Sequence, residues 1–378
     1  MSTNQPFPRT GTSTPIFVAR DSAAQPIIIG QDYFLIQIYA AQVAFRGAIW
    51  DNVNHLVVTS QVNLHHRNLD NRAVRAIQRT RKVEKNQAQP LGLTPNLIGL
   101  VPAVMPSVTI AIDFILDREN RLAQLGGLIN SDCFVSVISL ATGAAAAAKT
   151  IAQLADKIIQ TFIPAEESKP LLSFCGDFNL ATQQLRNGYY VIIGSQDEQN
   201  PLPDPATRLE VRDGGLLVDG RPATQWSYVI LDVQRVGTRP RELNDGARWD
   251  DKLREAEDEA QRLTMNPLAT DEERKHAWNK CLKLIQEAQA LLRADDNFLP
   301  KDANHIVEAT LWNCRRVLEE QQAYARRTVG RAPLWMPTLA NDLAALGLSP
   351  DTDLATTVAQ YADQVVDARR VLQARAML

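Results

Sequence analysis

Residues 108–114 read VTIAIDF, and this stretch decides the fold class of the first half of the chain. Val108, Ile110, Ile112 and Phe114 alternate with Thr109, Ala111 and Asp113. A strict two-residue period puts the four apolar side chains on one face of a strand and the rest on the other. The run HLVVTSQVNL, 55–64, follows the same logic, as do Phe34, Ile36 and Ile38 alternating with Leu35, Gln37 and Tyr39. Further strands are predicted over 133–140 (CFVSVISL), 171–178, 188–194 (GYYVIIG) and 226–236 (WSYVILDVQRV). Within LEVRDGGLLVDG, 209–220, Asp213-Gly214-Gly215 separates two strand-like pieces and predicts a hairpin.

Helices interrupt this pattern at 71–84, 118–129 and 144–163. In the last, Ile151, Leu154, Ala155, Ile158 and Phe162 recur at helical spacing until Pro164 stops the run. Strands with few helices between them favour a mostly antiparallel sheet or sandwich with inserted helices over a regular βαβ alternation.

Beyond Pro240 the texture is helical, with helices predicted at 249–264, 270–293, 302–327, 338–346 and 351–376. Thr270 with Glu273 makes a capping box. Ala277, Cys281, Leu284, Ala288 and Leu291 trace one apolar seam; Val307, Leu311, Cys314, Leu318 and Gln321 trace another. Alternating steps of three and four residues pack helices side by side in a bundle. Ser349-Pro350 marks a start for the last helix. The expected organisation is α+β: a flexible N-terminal arm over 1–25, a β-rich domain over 26–240 and an all-α helical bundle over 241–378.

The chain has 378 residues, 45% of them hydrophobic and 22% charged, with a net charge of -3, so only local charge can point to a partner. Cys133, Cys175, Cys281 and Cys314 are too dispersed for a disulfide framework or a zinc site, and read as buried thiols. No basic segment followed by an apolar run opens the sequence, and no stretch reaches about 18 consecutive apolar residues. The expected location is cytoplasmic, with no transmembrane helix.

Four features carry candidate chemistry. The first is GAAAAAKT, 143–150, between a predicted strand and an amphipathic helix, the context of a phosphate-binding loop. There Gly143 would open the loop, Lys149 would reach the phosphates, Thr150 a magnesium ion, and Asp232 would supply a second carboxylate. Ala148 stands where such loops carry glycine, and five consecutive alanines favour a helix that begins near Gly143 and packs closely on the sheet.

The second is Gly176-Asp177-Phe178-Asn179, which resembles the central motif of the endonuclease/exonuclease/phosphatase family. The resemblance implies that Asp177 and Asn179 orient a phosphate and its attacking water. It covers these residues alone. The family's closing Asp-His pair has no counterpart, since His276 and His305 fall on predicted helices of the other domain. A strand end turning through Asp-Phe-Asn accounts for the same residues.

The third is a basic run over 67–85, in which Arg72, Arg75, Arg79 and Lys82 fall on one face of the helix predicted at 71–84. Such a stripe suits an anionic partner, lipid or nucleic acid, although no aromatic ladder for base stacking accompanies it. It equally suits a solvated face, or a salt-bridge surface for the acidic residues at 250–259. The fourth is the uncharged segment 86–112, which Pro90, Pro95, Pro102 and Pro106 confine to extended pieces and turns. Exposed, it would be an assembly or membrane surface; packed down, it is core cover.

No catalytic constellation, metal-ligand spacing or cofactor motif emerges from these residues. The expected function is a non-enzymatic interaction or assembly protein, binding another protein or itself through the β-rich domain, with the helical domain as platform or regulator. Two alternatives stand beside it. One is a membrane-active effector, pore-forming or peripheral, held by its helical domain. The other is a phosphohydrolase or nucleotide-binding protein using residues 143–150 or GDFN.

Overall fold

The computed structural model describes residues 15–20, 24–44, 55–65, 72–82, 88–91, 96–117, 135–136, 169–194, 208–244, 247–266, 269–329 and 335–376. The chain divides into two compact units, Met1–Arg235 and Val236–Leu378. It is mixed α+β, with antiparallel sheets in the first unit and α-helices in the second.

Among the described residues, three sheets build the first unit. The six-stranded sheet runs β1 (Ile16–Val18), β10 (Gly188–Gly194), β14 (Ser227–Val236), β2 (Tyr33–Ala44), with β5 (Ala88–Pro90) and β6 (Asn96–Pro102) both pairing β2. The five-stranded sheet runs β8 (Val135–Ser136), β4 (Arg72–Lys82), β3 (His55–His65), β7 (Ser107–Asp117), β9 (Lys169–Asn179). A small sheet joins β11 (Leu209–Arg212), β12 (Gly215–Val218) and β13 (Arg221–Pro222). Its first turn uses Asp213 and Gly214 at φ 49° and 75°, and its second uses Asp219 and Gly220 at 50° and 75°. Two successive left-handed residues match the twist of flanking strands, which is why Asp-Gly was a strong signal.

Alternation explains how the two large sheets share a core. Phe34 and Ile36 of β2, Leu56 and Val58 of β3, Ile110 and Ile112 of β7, Phe174 of β9 and Leu231 of β14 belong to one apolar cluster. The other face of β14 and β10 is buried too. There Tyr228, Ile230, Val191 and Ile193 pack with Leu216, Ala223 and Trp226. Coverage on both faces makes SYVILDVQRV read as a nearly continuous apolar run rather than an alternating one.

Several expectations change on contact with the coordinates. The helix expected at 71–84 is strand β4. Within the segment expected to be a loose arm, Ile16–Val18 pairs with β10 as an edge strand. Residues 1–14, the predicted helices at 118–129 and 144–163, and most of the strand at 133–140 lie outside the described residues. In the uncharged segment, Leu97, Ile98, Val101, Ala103 and Met105 are buried in the shared core, so its described part is core cover.

The second unit carries five α-helices among the described residues: α1 (Arg248–Met265), α2 (Asp271–Arg293), α3 (Pro300–Val329), α4 (Leu339–Ala345) and α5 (Leu354–Ala376). The Thr270 hydroxyl accepts from the Glu273 amide at 3.2 Å, and the Glu273 carboxylate accepts from the Thr270 amide at 2.7 Å. Leu253 and Ala256 of α1, Cys281 and Ile285 of α2, and Val307, Leu311 and Cys314 of α3 meet in one core. On α2 the expected Cys281, Leu284 and Ala288 are buried and Ala277 packs against the same core, whereas Leu291 is 39% exposed and Leu292 points inward, with Trp278 and Ile285 widening the buried face. The last helix begins at Leu354 rather than 351, because Asp353 caps it, accepting the Thr356 amide at 3.3 Å.

Candidate functional site

The strands β4, β3, β7 and β9 are each 11 residues long. Their ends are flush. At one end His55 is level with Lys82 and Asp117, and Leu116 with Lys169. At the other, Leu64 is level with Arg72, His65 with Ser107, and Ser107 with Asn179. Eleven residues at about 3.4 Å each make a rectangle roughly 37 Å tall, with polar or charged residues at both rims.

One face of the rectangle is apolar in rows. Leu56, Val58, Val62 and Leu64 of β3 stand beside Val108, Ile110, Ile112 and Phe114 of β7, and Leu172, Phe174 and Phe178 of β9. Ser60 and Gly176 interrupt the rows. The opposite face is mixed, with Val57 level with Ile115 and Ala111 with Cys175 among its polar residues. Ser173 donates its hydroxyl to the Asp113 carboxylate at 2.6 Å, and Thr109 donates to Asp177. By register, Thr59 is level with Asp113 and Asn63 with Thr109.

The basic residues expected on one helical face are distributed differently. β4 pairs with β3 along its whole length, and this non-local pairing overrides the helical spacing of its arginines. Arg72 is level with Leu64, on the parity of the apolar rows, whereas Arg75 is level with Gln61 and Arg79 with Val57, on the other parity. Lys82 sits at the rim beyond a bulge at His55/Leu56. The single-face stripe is therefore replaced by a basic strand.

Of the candidate nucleotide set, Gly143, Lys149 and Thr150 lie outside the described residues. Asp232 is fully buried on β14 and forms an ion pair with Arg20, whose guanidinium lies 4.9 Å from the centre of the Tyr189 ring. In GDFN, Asn179 opens a turn, its side chain accepting the Thr182 amide at 3.1 Å. A Cβ on Gly176 would lie 2.5 Å from the Phe174 ring, so packing demands this glycine. His276 and His305 lie on α2 and α3 of the other unit. No group of three or more His, Cys, Asp or Glu side chains among the described residues is arranged to hold a metal ion.

Sequence reasoning missed the polar interior of the second unit. Trp278 donates its indole N–H to Asp342 at 2.9 Å, and Arg315 binds the other carboxylate oxygen and the Pro337 carbonyl. Trp278 and Asp342 are 64 residues apart, and no local pattern announces the pair. On α3, burial holds His305 below its usual pKa, against the pull of Asp302 and with a smaller push from Lys301. Burial alone pushes the Glu308 carboxyl up. Of these groups, Trp278, Asp342 and Arg315 bond α2, α3 and α4 to one another.

No helix among the described residues is long and apolar enough to cross a membrane. No protein-family model matches the chain, and no characterised protein is detectably similar to it in sequence.

Proposed function

We propose that the protein is a membrane-active effector, non-enzymatic, whose β4-β3-β7-β9 sheet supplies the membrane-crossing strands and whose helical unit regulates their release. In this reading the two large sheets form a sandwich at rest and the helices a bundle. One observation carries it: four adjacent antiparallel strands of 11 residues, flush at both ends, three of which (β3, β7 and β9) set mainly apolar side chains on one face and a mixed, more polar set on the other. A tilted strand of about 9–11 residues crosses a bilayer, and alternation lets one face meet lipid while the other lines water. The charged and polar rims suit the two interfaces, and the basic residues of β4 suit an anionic surface. β4 is the least regular member, since Arg72, Gln78 and Thr80 share the parity of the apolar rows.

A protease site placed at residues 245–246 of the full chain tests the reading. Cutting it in the presence of dye-loaded vesicles rich in anionic lipid should release the dye, with little release before the cut. Intact vesicles after complete cleavage, at neutral and at acidic pH, would overturn it.

A second reading, an assembly protein that never enters a bilayer, draws on one feature. Over the length of β4, the only strand beyond it among the described residues is β8, which pairs with Ala76 and Ile77 alone. A long, thinly covered edge is a template for another chain. Cleavage-dependent association without dye release would favour this reading.

A further inference from the structure

We propose that copies of this chain join edge to edge through the four-strand sheet, β9 of one copy against β4 of the next, with Arg75 level with Asp177 across the junction. The inference deepens the membrane reading by naming the partner, a second copy, and it rests on that reading for its setting.

The strand directions point to this occupant. β3 pairs antiparallel with β4 and β7, and β7 pairs antiparallel with β9. The first and last of four such strands run in opposite directions, so identical copies set side by side continue an antiparallel sheet. Three or five strands would bring parallel edges together, so the five-stranded resting sheet must first lose β8 from the side of β4. Equal length matters as well, because 11-residue edges with flush ends leave no overhang at the junction. A head-to-tail contact of this kind closes into a ring when its rotation allows, and closure removes the edges altogether.

Charge selects the register. Carried straight across the junction, the existing rows set Arg75 level with Cys175 and Ala73 level with Asp177. Barrels require a stagger between strands, and steps of two residues keep each side chain on its own face. A step of two in one direction brings Arg75 level with the exposed Asp177 and Ile77 level with Cys175; a step of two in the other pairs no opposite charges within the two strands. Opposite charges directly across a strand pair favour that alignment. In the present conformation β8 pairs with Ala76 and Ile77. It leaves β4 on assembly, and whatever contacts the outer side of β9 makes at rest are exchanged at the same time.

The native Cys175 makes the register measurable. In the full chain carrying the 245–246 protease site and Cys133→Ser, a second cysteine is placed singly on β4 by Ala73→Cys, Arg75→Cys, Ile77→Cys, Val74→Cys or Ala76→Cys. Each variant is cut on anionic dye-loaded vesicles under a mild oxidant and run without reductant. Ile77→Cys should lose most of its monomer band to a reductant-sensitive ladder, with mass spectrometry joining it to Cys175. Val74→Cys and Ala76→Cys, on the opposite face, should stay monomeric. A ladder centred on Arg75→Cys or Ala73→Cys would overturn the charge-selected register. Dye release with no ladder from any of the five would overturn edge pairing and leave the membrane reading standing. A ladder without dye release would do the reverse, and neither signal would sink both.

Discussion

Thr109 of β7 and Asp177 of β9 face each other across the sheet, and the threonine hydroxyl donates to the exposed carboxylate. The contact gives the Asp of GDFN a structural partner, and the residue before it has a packing reason of its own. Gly176 lies against the ring of Phe174, which is 1% exposed, so an added Cβ must push a buried ring aside. Gly176→Ala should therefore cost about 1–3 kcal/mol, the usual range for overpacking. Gly99→Ala, with nothing within 4 Å of its added Cβ, should stay within about 0.5 kcal/mol. Denaturant unfolding of the two variants, followed by far-UV circular dichroism, checks the contrast.

The Trp278–Asp342–Arg315 network holds α4 to α2 and α3, and all three side chains are buried. Arg315→Met should cost about 3–5 kcal/mol because it leaves a buried carboxylate without its cation. Trp278→Phe removes a hydrogen bond and some packing, and should cost about 1–2 kcal/mol. Replacing the ion pair as a whole, Arg315→Met with Asp342→Leu, should recover most of the first loss. Four of the six tryptophans, Trp249, Trp278, Trp312 and Trp335, lie in the second unit, so intrinsic fluorescence reports its unfolding. A double variant no more stable than Arg315→Met alone would contradict this account.

Much of this fold could be read from local pattern, and the exceptions have a common cause. β7 was legible because Val108, Ile110, Ile112 and Phe114 must all enter one core. The start of α2 was legible because Thr270 and Glu273 satisfy each other's backbone within one turn. β4 was not, since RAVRAIQRTRK spaces its arginines as a helix would and owes its strand state to β3. The α2 seam was legible at Cys281, Leu284 and Ala288 but not at its end, where Leu292 and not Leu291 turns inward, because both are leucines and only the neighbouring helices choose between them. Asp232 read as a second carboxylate for a metal ion, whereas the cation it pairs with is Arg20, 212 residues away. Of the candidate sheet, β3, β7 and β9 were visible as strands and β4 was not, and its flush ends are a property of register, which no single strand encodes.

Two groups on α3 should give the second unit opposing pH dependences. His305 is held below its usual 6.5, chiefly by burial, and its Nδ1 is buried without a partner. The unfolded chain then binds a proton more readily than the folded one. The stability from the neutral ring is complete above about pH 6.5 and is lost as pH falls toward the folded value. The groups beside it are Asp302 and Lys301 on its own helix and Tyr361 on α5, whose ring centre lies 5.4 Å away. His305→Phe should flatten the loss of melting temperature between pH 7.5 and 5, as read by fluorescence. An unchanged acid slope would show that other groups carry it.

Glu308 should act in the opposite sense. Burial raises its carboxyl above the usual 4.5, and Oε2 is buried without a partner. Its contribution favours folding below that value and is lost as pH rises through the folded one. Glu308→Gln should therefore stabilise the second unit by about 1 kcal/mol at pH 8, the scale of an unsatisfied buried acceptor, and the gain should vanish near pH 4. A gain that is the same at both pH values would point to packing rather than charge.

The basic strand supplies the last expectation. β4 carries Arg72, Arg75, Arg79, Arg81 and Lys82 and no acidic residue. A cation near an anionic bilayer surface contributes about 1 kcal/mol to binding, and each 1.4 kcal/mol is tenfold in affinity. Neutralising two positions of opposite parity, Arg72→Gln with Arg79→Gln, should therefore lower partitioning onto anionic vesicles by roughly 30-fold at low salt. The difference should shrink at 0.5 M salt, where the screening length falls to about 4 Å. It should be absent on vesicles of neutral lipid, where the apolar rows alone can hold the protein. Co-sedimentation across both lipid compositions and both salt concentrations separates the contributions. Equal binding of parent and variant to anionic vesicles at low salt would remove β4 from the membrane-contacting surface and confine any insertion to β3, β7 and β9.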